Sequence, residues 1–148
     1  MDKSELNLDK SEDGLSLTIL TPERDFFHGE AEQVVFSTPE GSIGIMSGHA
    51  PMVASVAEGI IEILSGGAWK TAATGQGFAE IAYGKAEFFV DTAEWADEID
   101  AIRAKEALER AEHRLRSNMS RIEFLRTQAA MSRAIARLKT IETSTTHK

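Results

Sequence analysis

After Asp91 this chain contains neither glycine nor proline, although 11 glycines and 3 prolines precede that point. Glycine admits positive φ, and proline fixes φ and removes an N–H donor, so together they punctuate a backbone. The first part of the chain must therefore consist of short segments that turn often, and the second of uninterrupted helix. Between Leu15 and about Asp91 the segments read as strands. "LSLTIL" alternates, "QVVFST" follows a turn, "GIIEIL" runs into Ser-Gly-Gly, and "AEFFV" closes the series. Turn signals at "TPE", "PEG", "SGHAP", "LSGG", "TGQG" and "YGK" leave no room for crossover helices. A parallel βαβ arrangement is excluded, and an antiparallel sandwich or barrel is expected.

Beyond Asp91, Ala, Glu, Arg and Leu dominate, which is helix composition. Ser120 and Glu123, just after "RSN", have the Ser-x-x-Glu spacing that starts a helix. The reading is two helices of about twenty residues, each about 30 Å long, joined as a hairpin. On the first, Ala104, Leu108, Ala111 and Leu115 form one stripe, whose alanines permit a close neighbour. On the second, Ile122, Leu125 and Ala129 lie on one side, and Phe124, Met131, Ile135 and Leu138 roughly opposite. One hairpin mate cannot cover both, so this helix should also pack on the sandwich or on another protein. The class is α+β. A polar tail over 1–14 is expected to be disordered, with a β-sandwich over 15–92, a helical hairpin over 93–142 and a flexible tail over 143–148.

Charge is divided along the same line. Residues 1–99 carry 5 basic and 18 acidic groups, whereas residues 100–148 carry 11 basic and 6 acidic. A local positive field attracts acidic surfaces, nucleotides or phosphates. The acidic remainder would repel a duplex, so nucleic acid is not the expected partner. Arg103, Arg110 and Arg114 are spaced seven and four apart, and Arg126, Arg133 and Arg137 repeat that spacing, so each set occupies an arc of about 40°. Solvated charge is the ordinary reading of any one of them. The repeated stripes, with few acids to balance them, point instead to an anionic surface.

Several chemistries are missing from the sequence. There is no cysteine, so disulfides and thiol chemistry are excluded. The first fourteen residues lack the apolar core of a signal peptide, and the longest uncharged run, 41–57, contains Gly, Ser, Pro and His, unlike a membrane span. Membrane association is thus expected to be indirect. His28, His49, His113 and His147 are scattered without metal-ligand spacing, and no nucleophile elbow, phosphate loop or dinucleotide fingerprint is present. Neither a metal site nor an active site is expected, and Asp97 and Asp100, at a helix start, read as capping residues.

The order of motifs is nevertheless specific. "GIMSGHAP" over 44–51, "GFAE" over 77–80 and "EIDAIRA" at the first helix, in that order, resemble the epsilon subunit of the bacterial F-type ATP synthase from about Leu15 to Ile141. The resemblance implies a ten-stranded sandwich and a helical hairpin. It implies a non-catalytic place in the central stalk of a proton-translocating enzyme, against the gamma subunit, the c ring and the alpha/beta head, on the cytoplasmic face of the bacterial membrane. Membrane contact is then only through the complex. It also implies that the hairpin either folds on the sandwich or extends along gamma, restraining ATP hydrolysis.

Some members bind ATP through Ile/Leu-Asp-x-x-Arg-Ala, which is matched here by Ile99, Asp100, Arg103 and Ala104. Arg133 and Arg137 match two arginines of the second helix, and Glu94 matches a further acid. On that basis no cofactor is required, and ATP is a regulatory ligand. The partner surface implied comprises Ser42, His49, Arg126, Arg133 and Arg137. Ser42 stands where the loop facing the c ring often has an acid, and Ser47 replaces a usual proline. The alternative reading is a free-standing small-ligand-binding sandwich with an oligomerising hairpin, which would need an enclosed pocket in place of an exposed apolar surface.

Overall fold

The computed structural model describes residues 14–147. Ten strands come first: β1 (Leu15–Leu20), β2 (Asp25–Ala31), β3 (Gln33–Thr38), β4 (Gly41–Met46), β5 (Met52–Val56), β6 (Gly59–Ser65), β7 (Ala68–Thr74), β8 (Gly77–Ala82), β9 (Lys85–Val90) and β10 (Ala93–Trp95). A 3-10 turn, Ala96–Glu98, leads into α1 (Ala101–Leu115) and α2 (Arg121–Thr146). The strands form two five-stranded sheets, ordered β2-β1-β9-β8-β5 and β10-β7-β6-β3-β4. Alternation positions their inner faces: Leu15, Leu17 and Ile19 of β1, and Ala86, Phe88 and Val90 of β9, are buried. Phe36 of the second sheet meets Phe88 of the first edge-on at 4.9 Å, joining the two layers. The sandwich is antiparallel except at one place. β1 lies parallel to β9, with Ser16 opposite Lys85 and Leu20 opposite Phe89. Closing the first sheet thus waits on a strand about seventy residues later, a pairing that local patterns do not encode.

The boundaries differ from the sequence expectation at three points. The sandwich does not end at 92: β10 pairs with β7, and Trp95 stacks on Phe26 at 4.3 Å with its edge toward Phe27. The helices are unequal, at 15 and 26 residues, or about 22 and 39 Å. α2 also continues through 143–146, beyond the expected end of the hairpin. The polar stretch 1–13 lies outside the described residues.

Both helices begin at side-chain caps. Asp100 Oδ1 accepts the Arg103 N–H at 3.1 Å, and Ser120 Oγ accepts the Glu123 N–H at 3.2 Å. α1 buries Ala104 and Ala111 of its predicted stripe, with Leu108 and Leu115 partly covered. α2 packs on both α1 and the second sheet, as expected, and Met131, Ile135 and Leu138 are partly buried, but its most buried positions are others. Its buried residues are Thr127, Ala134, Ala136 and Thr140, whereas Ile122, Phe124, Leu125 and Ala129 are exposed.

Small side chains allow α2 to lie close to two neighbours at once. Thr127 shares a groove with Ala107 and Ala111 of α1, and Ala136, on the opposite side, shares another with Val35, Gly59 and Ile60 of the second sheet. The buried threonine hydroxyls are satisfied within the helix, Thr127 donating to Glu123 O at 2.8 Å and Thr140 to Ala136 O at 2.6 Å. Ile122, Leu125 and Ala129 share the helical phase of Ala136 and yet are exposed.

Candidate functional site: a charged cleft between sandwich and hairpin

β10 determines what meets α2. Trp95 and Ala93 pack toward the core. Alternation therefore directs Glu94 outward, onto the side of the second sheet that α2 covers. There Arg137 Nε donates to Glu94 Oε1 at 2.8 Å, an ion pair in which both side chains are still partly exposed. Around this pair opens a cleft of about 610 Å³, with Arg133 and Arg137 from α2 on one wall. Thr21 and Arg24 from the β1–β2 turn also line it, as do five carboxylates, Glu23, Glu58, Asp91, Glu94 and Glu98. Its volume lies in the range of small-molecule sites, about 300–1,000 Å³.

Two groups in the cleft titrate away from their ordinary values. Burial pushes the Glu58 carboxyl up and Asp91 adds to this, while Arg133 and Arg137 pull the other way. The Arg24 guanidinium is held further toward its charged form, chiefly by its hydrogen bond to Glu98. The cleft therefore sets three arginines among five carboxylates, two of the arginines already paired, Arg24 with Glu98 and Arg137 with Glu94.

The predicted nucleotide residues divide into two groups. Glu94, Arg133 and Arg137 are brought together. Asp100, Arg103 and Ala104 do not line the cleft. Asp100 caps α1 and lies 3.6 Å from Arg103 Nε, Arg103 points into solvent, and Ala104 is buried. The predicted partner residues are also dispersed. Arg126 lines a separate small groove with Arg110 and Arg114 near the closed end of the hairpin, away from Arg133 and Arg137. Ser42 is not in a loop. It pairs with Ser37 across the β3–β4 ladder, because the turn is completed at Pro39 and Glu40, and it borders a groove with Ser132 and Lys139 of α2. His49 stays in the β4–β5 connection, its Nδ1 2.7 Å from Ala50 O. Among the described residues, no group of three His, Asp or Glu side chains could hold a metal.

Sequence reasoning missed Arg24, Glu58 and Glu98. Arg24 carried one signal: it is the sole arginine before residue 100.

Family models match nearly the whole described chain: the ATP synthase delta/epsilon beta-sandwich domain over 14–96 and the delta/epsilon long alpha-helix domain over 97–142. The chain belongs to the ATP synthase delta/epsilon family. The ATP synthase epsilon chain of Ruminiclostridium cellulolyticum is 45% identical over 122 residues, covering 82% of this chain and 91% of that one. The epsilon chain of Caldicellulosiruptor saccharolyticus is 44% identical over 126 residues, covering 85% and 92%. A chain of the Euglena gracilis mitochondrial ATP synthase, solved as an OSCP/F1/c-ring assembly, shares the fold with a TM-score of 0.78 at 22% identity, covering 90% of this chain and 82% of that one. Membership of the delta/epsilon family makes this a non-catalytic subunit of the rotary ATP synthase. No helix among the described residues is long and apolar enough to cross a membrane.

Proposed function

We propose that this chain is the central-stalk epsilon subunit of a proton-translocating ATP synthase, seated between the gamma subunit and c ring on the cytoplasmic face of the membrane. Its hairpin restrains ATP hydrolysis, and ATP in the cleft releases that restraint. The observation that carries the reading is the ion pair of Arg137 of α2 with Glu94 of β10, with Arg133 lining the same cleft, at the seam a hairpin must open to leave the sandwich.

A ligand that binds only the folded-down hairpin favours that state by RT ln(1 + [ATP]/Kd), about 2.7 kcal/mol at a hundredfold excess over Kd. Apolar side chains left in water support a partner-bound life: Val53 and Phe78 on the first sheet, and Ile122, Phe124 and Leu125 on α2, are all at least 41% exposed. The free-standing ligand binder draws no comparable support, since the cleft is open along the seam.

Two experiments test this. ATP is titrated into the isolated subunit by calorimetry while X-ray scattering follows compactness; a saturable isotherm with a compact hairpin is expected. No heat and no compaction at millimolar ATP would remove the nucleotide role. Separately, charge reversal at Arg126, Arg133 and Arg137 is expected to raise hydrolysis by the assembled enzyme, and unchanged inhibition would exclude the arginines as the restraint.

A further inference from the structure

Of the residues matched to the nucleotide motif only Glu94 belongs to the sandwich, and a carboxylate does not hold phosphate; the arginines among them, Arg103, Arg133 and Arg137, all lie on the helices. Arg24 changes this, because it belongs to the sandwich. Its backbone is fixed by the turn: Thr21 N–H donates to Arg24 O at 3.0 Å, and Arg24 N–H to Thr21 Oγ1 at 3.1 Å. Its guanidinium lies 4.9 Å over the ring of Phe26, which is itself stacked on Trp95. Nη2 donates to Glu98 Oε2 at 2.7 Å and to Ala93 O at 3.3 Å. Both contacts run through one nitrogen of a group with five N–H donors, so the fork keeps capacity for another acceptor. Arg24 lines the same cleft as Arg133 and Arg137.

We infer that Arg24 is the sandwich's own contact to the phosphate chain of a nucleotide held in this cleft, and that Glu98 is the carboxylate that competes with the ligand for it. The inference rests on the ATP-binding reading given above and extends it. A phosphate chain bridging Arg24 to Arg133 and Arg137 would fasten α2 to the β-sandwich directly, which gives ATP a physical grip on the hairpin's position.

If Arg24 binds ligand and Glu98 competes, their substitutions act in opposite directions. If the pair is only a brace, both weaken binding alike. ATP is titrated by calorimetry into the full chain and its Arg24→Met, Arg24→Lys and Glu98→Gln variants. Expected are a Kd raised about tenfold for Arg24→Met, an intermediate value for Arg24→Lys, and a Kd lowered about threefold for Glu98→Gln. AMP should show little dependence on Arg24. Saturable ATP binding with Arg24→Met unaffected, or with Arg24→Met and Glu98→Gln equally weakened, overturns the inference and leaves the nucleotide role standing. A flat isotherm for the unmodified chain overturns both.

Discussion

The far end of α2 is held by a catch that can be released without touching the cleft. The imidazole of His147 stacks on Trp69 of β7, with ring centres 5.1 Å apart and planes 14° apart, and its Nε2 lies 2.6 Å from Glu62 Oε2 of β6. Both side chains of the polar contact are about a quarter exposed, 24% and 25%. A partly exposed hydrogen bond contributes roughly 0.5–1 kcal/mol and the ring stack about 0.5–1 kcal/mol, so His147→Ala should cost the local closed state about 1–2 kcal/mol. That corresponds to a roughly 5- to 30-fold rise in the opening equilibrium of the last turns of α2. Amide hydrogen exchange read by mass spectrometry is the assay, comparing peptides over 138–147 with peptides over 101–115. Faster exchange is expected in the first set only. Glu62→Gln should reproduce part of the effect, and the double variant should fall short of the sum by about 0.5 kcal/mol. Equal acceleration in α1, or none in 138–147, would refute the idea that this end of α2 is held by that contact.

Three further predictions concern the body. Glu58 binds its proton more tightly folded than unfolded, so its ionisation opposes folding as pH rises through the carboxylate range. Glu58→Gln should therefore stabilise the fold above that window, by no more than about 0.5 kcal/mol because the group is partly solvated, and not below it; a gain independent of pH in denaturant titrations would contradict this. Gly77→Ala should destabilise by about 3 kcal/mol, because a Cβ there would come within 1.9 Å of Phe89 O across the β8–β9 ladder, a backbone atom that cannot step aside. Thermal unfolding unaffected by the change would show that the two strands are less closely paired. Thr71 Oγ1 is buried with no hydrogen-bond partner among the described residues, so Thr71→Val should be neutral or stabilise by up to about 1 kcal/mol, and a loss of 1 kcal/mol in urea titration would reveal a partner.

What could be read from the sequence was what neighbours in the chain determine. Asp100 and Ser120 cap helices because a cap acts on a residue three positions ahead, and "YGK" turns because Tyr83 and Gly84 both take positive φ. The β1–β9 pairing was not legible, and of the cleft only Glu94, Arg133 and Arg137 were, through the family resemblance, since both features join segments far apart in sequence. Arg24, Glu58 and Glu98 meet Arg133 only once both sheets and the hairpin are assembled. That α2 packs on both α1 and the sandwich was legible, but its most buried residues were not, because apolarity was taken as the sign of burial. The chain instead buries Thr127, Ala134, Ala136 and Thr140, whose small size suits close approach on two sides.

Trp95, wedged against Phe26 and Phe27, is the last residue tied into the sandwich by core packing before the helices begin. Any excursion of the hairpin must therefore pivot within residues 96–100, one 3-10 turn and a cap. A linker so short keeps the start of α1 within about 18 Å of Trp95 wherever the hairpin swings. The subunit would then act less like a tether paying out slack than like a door on a fixed jamb.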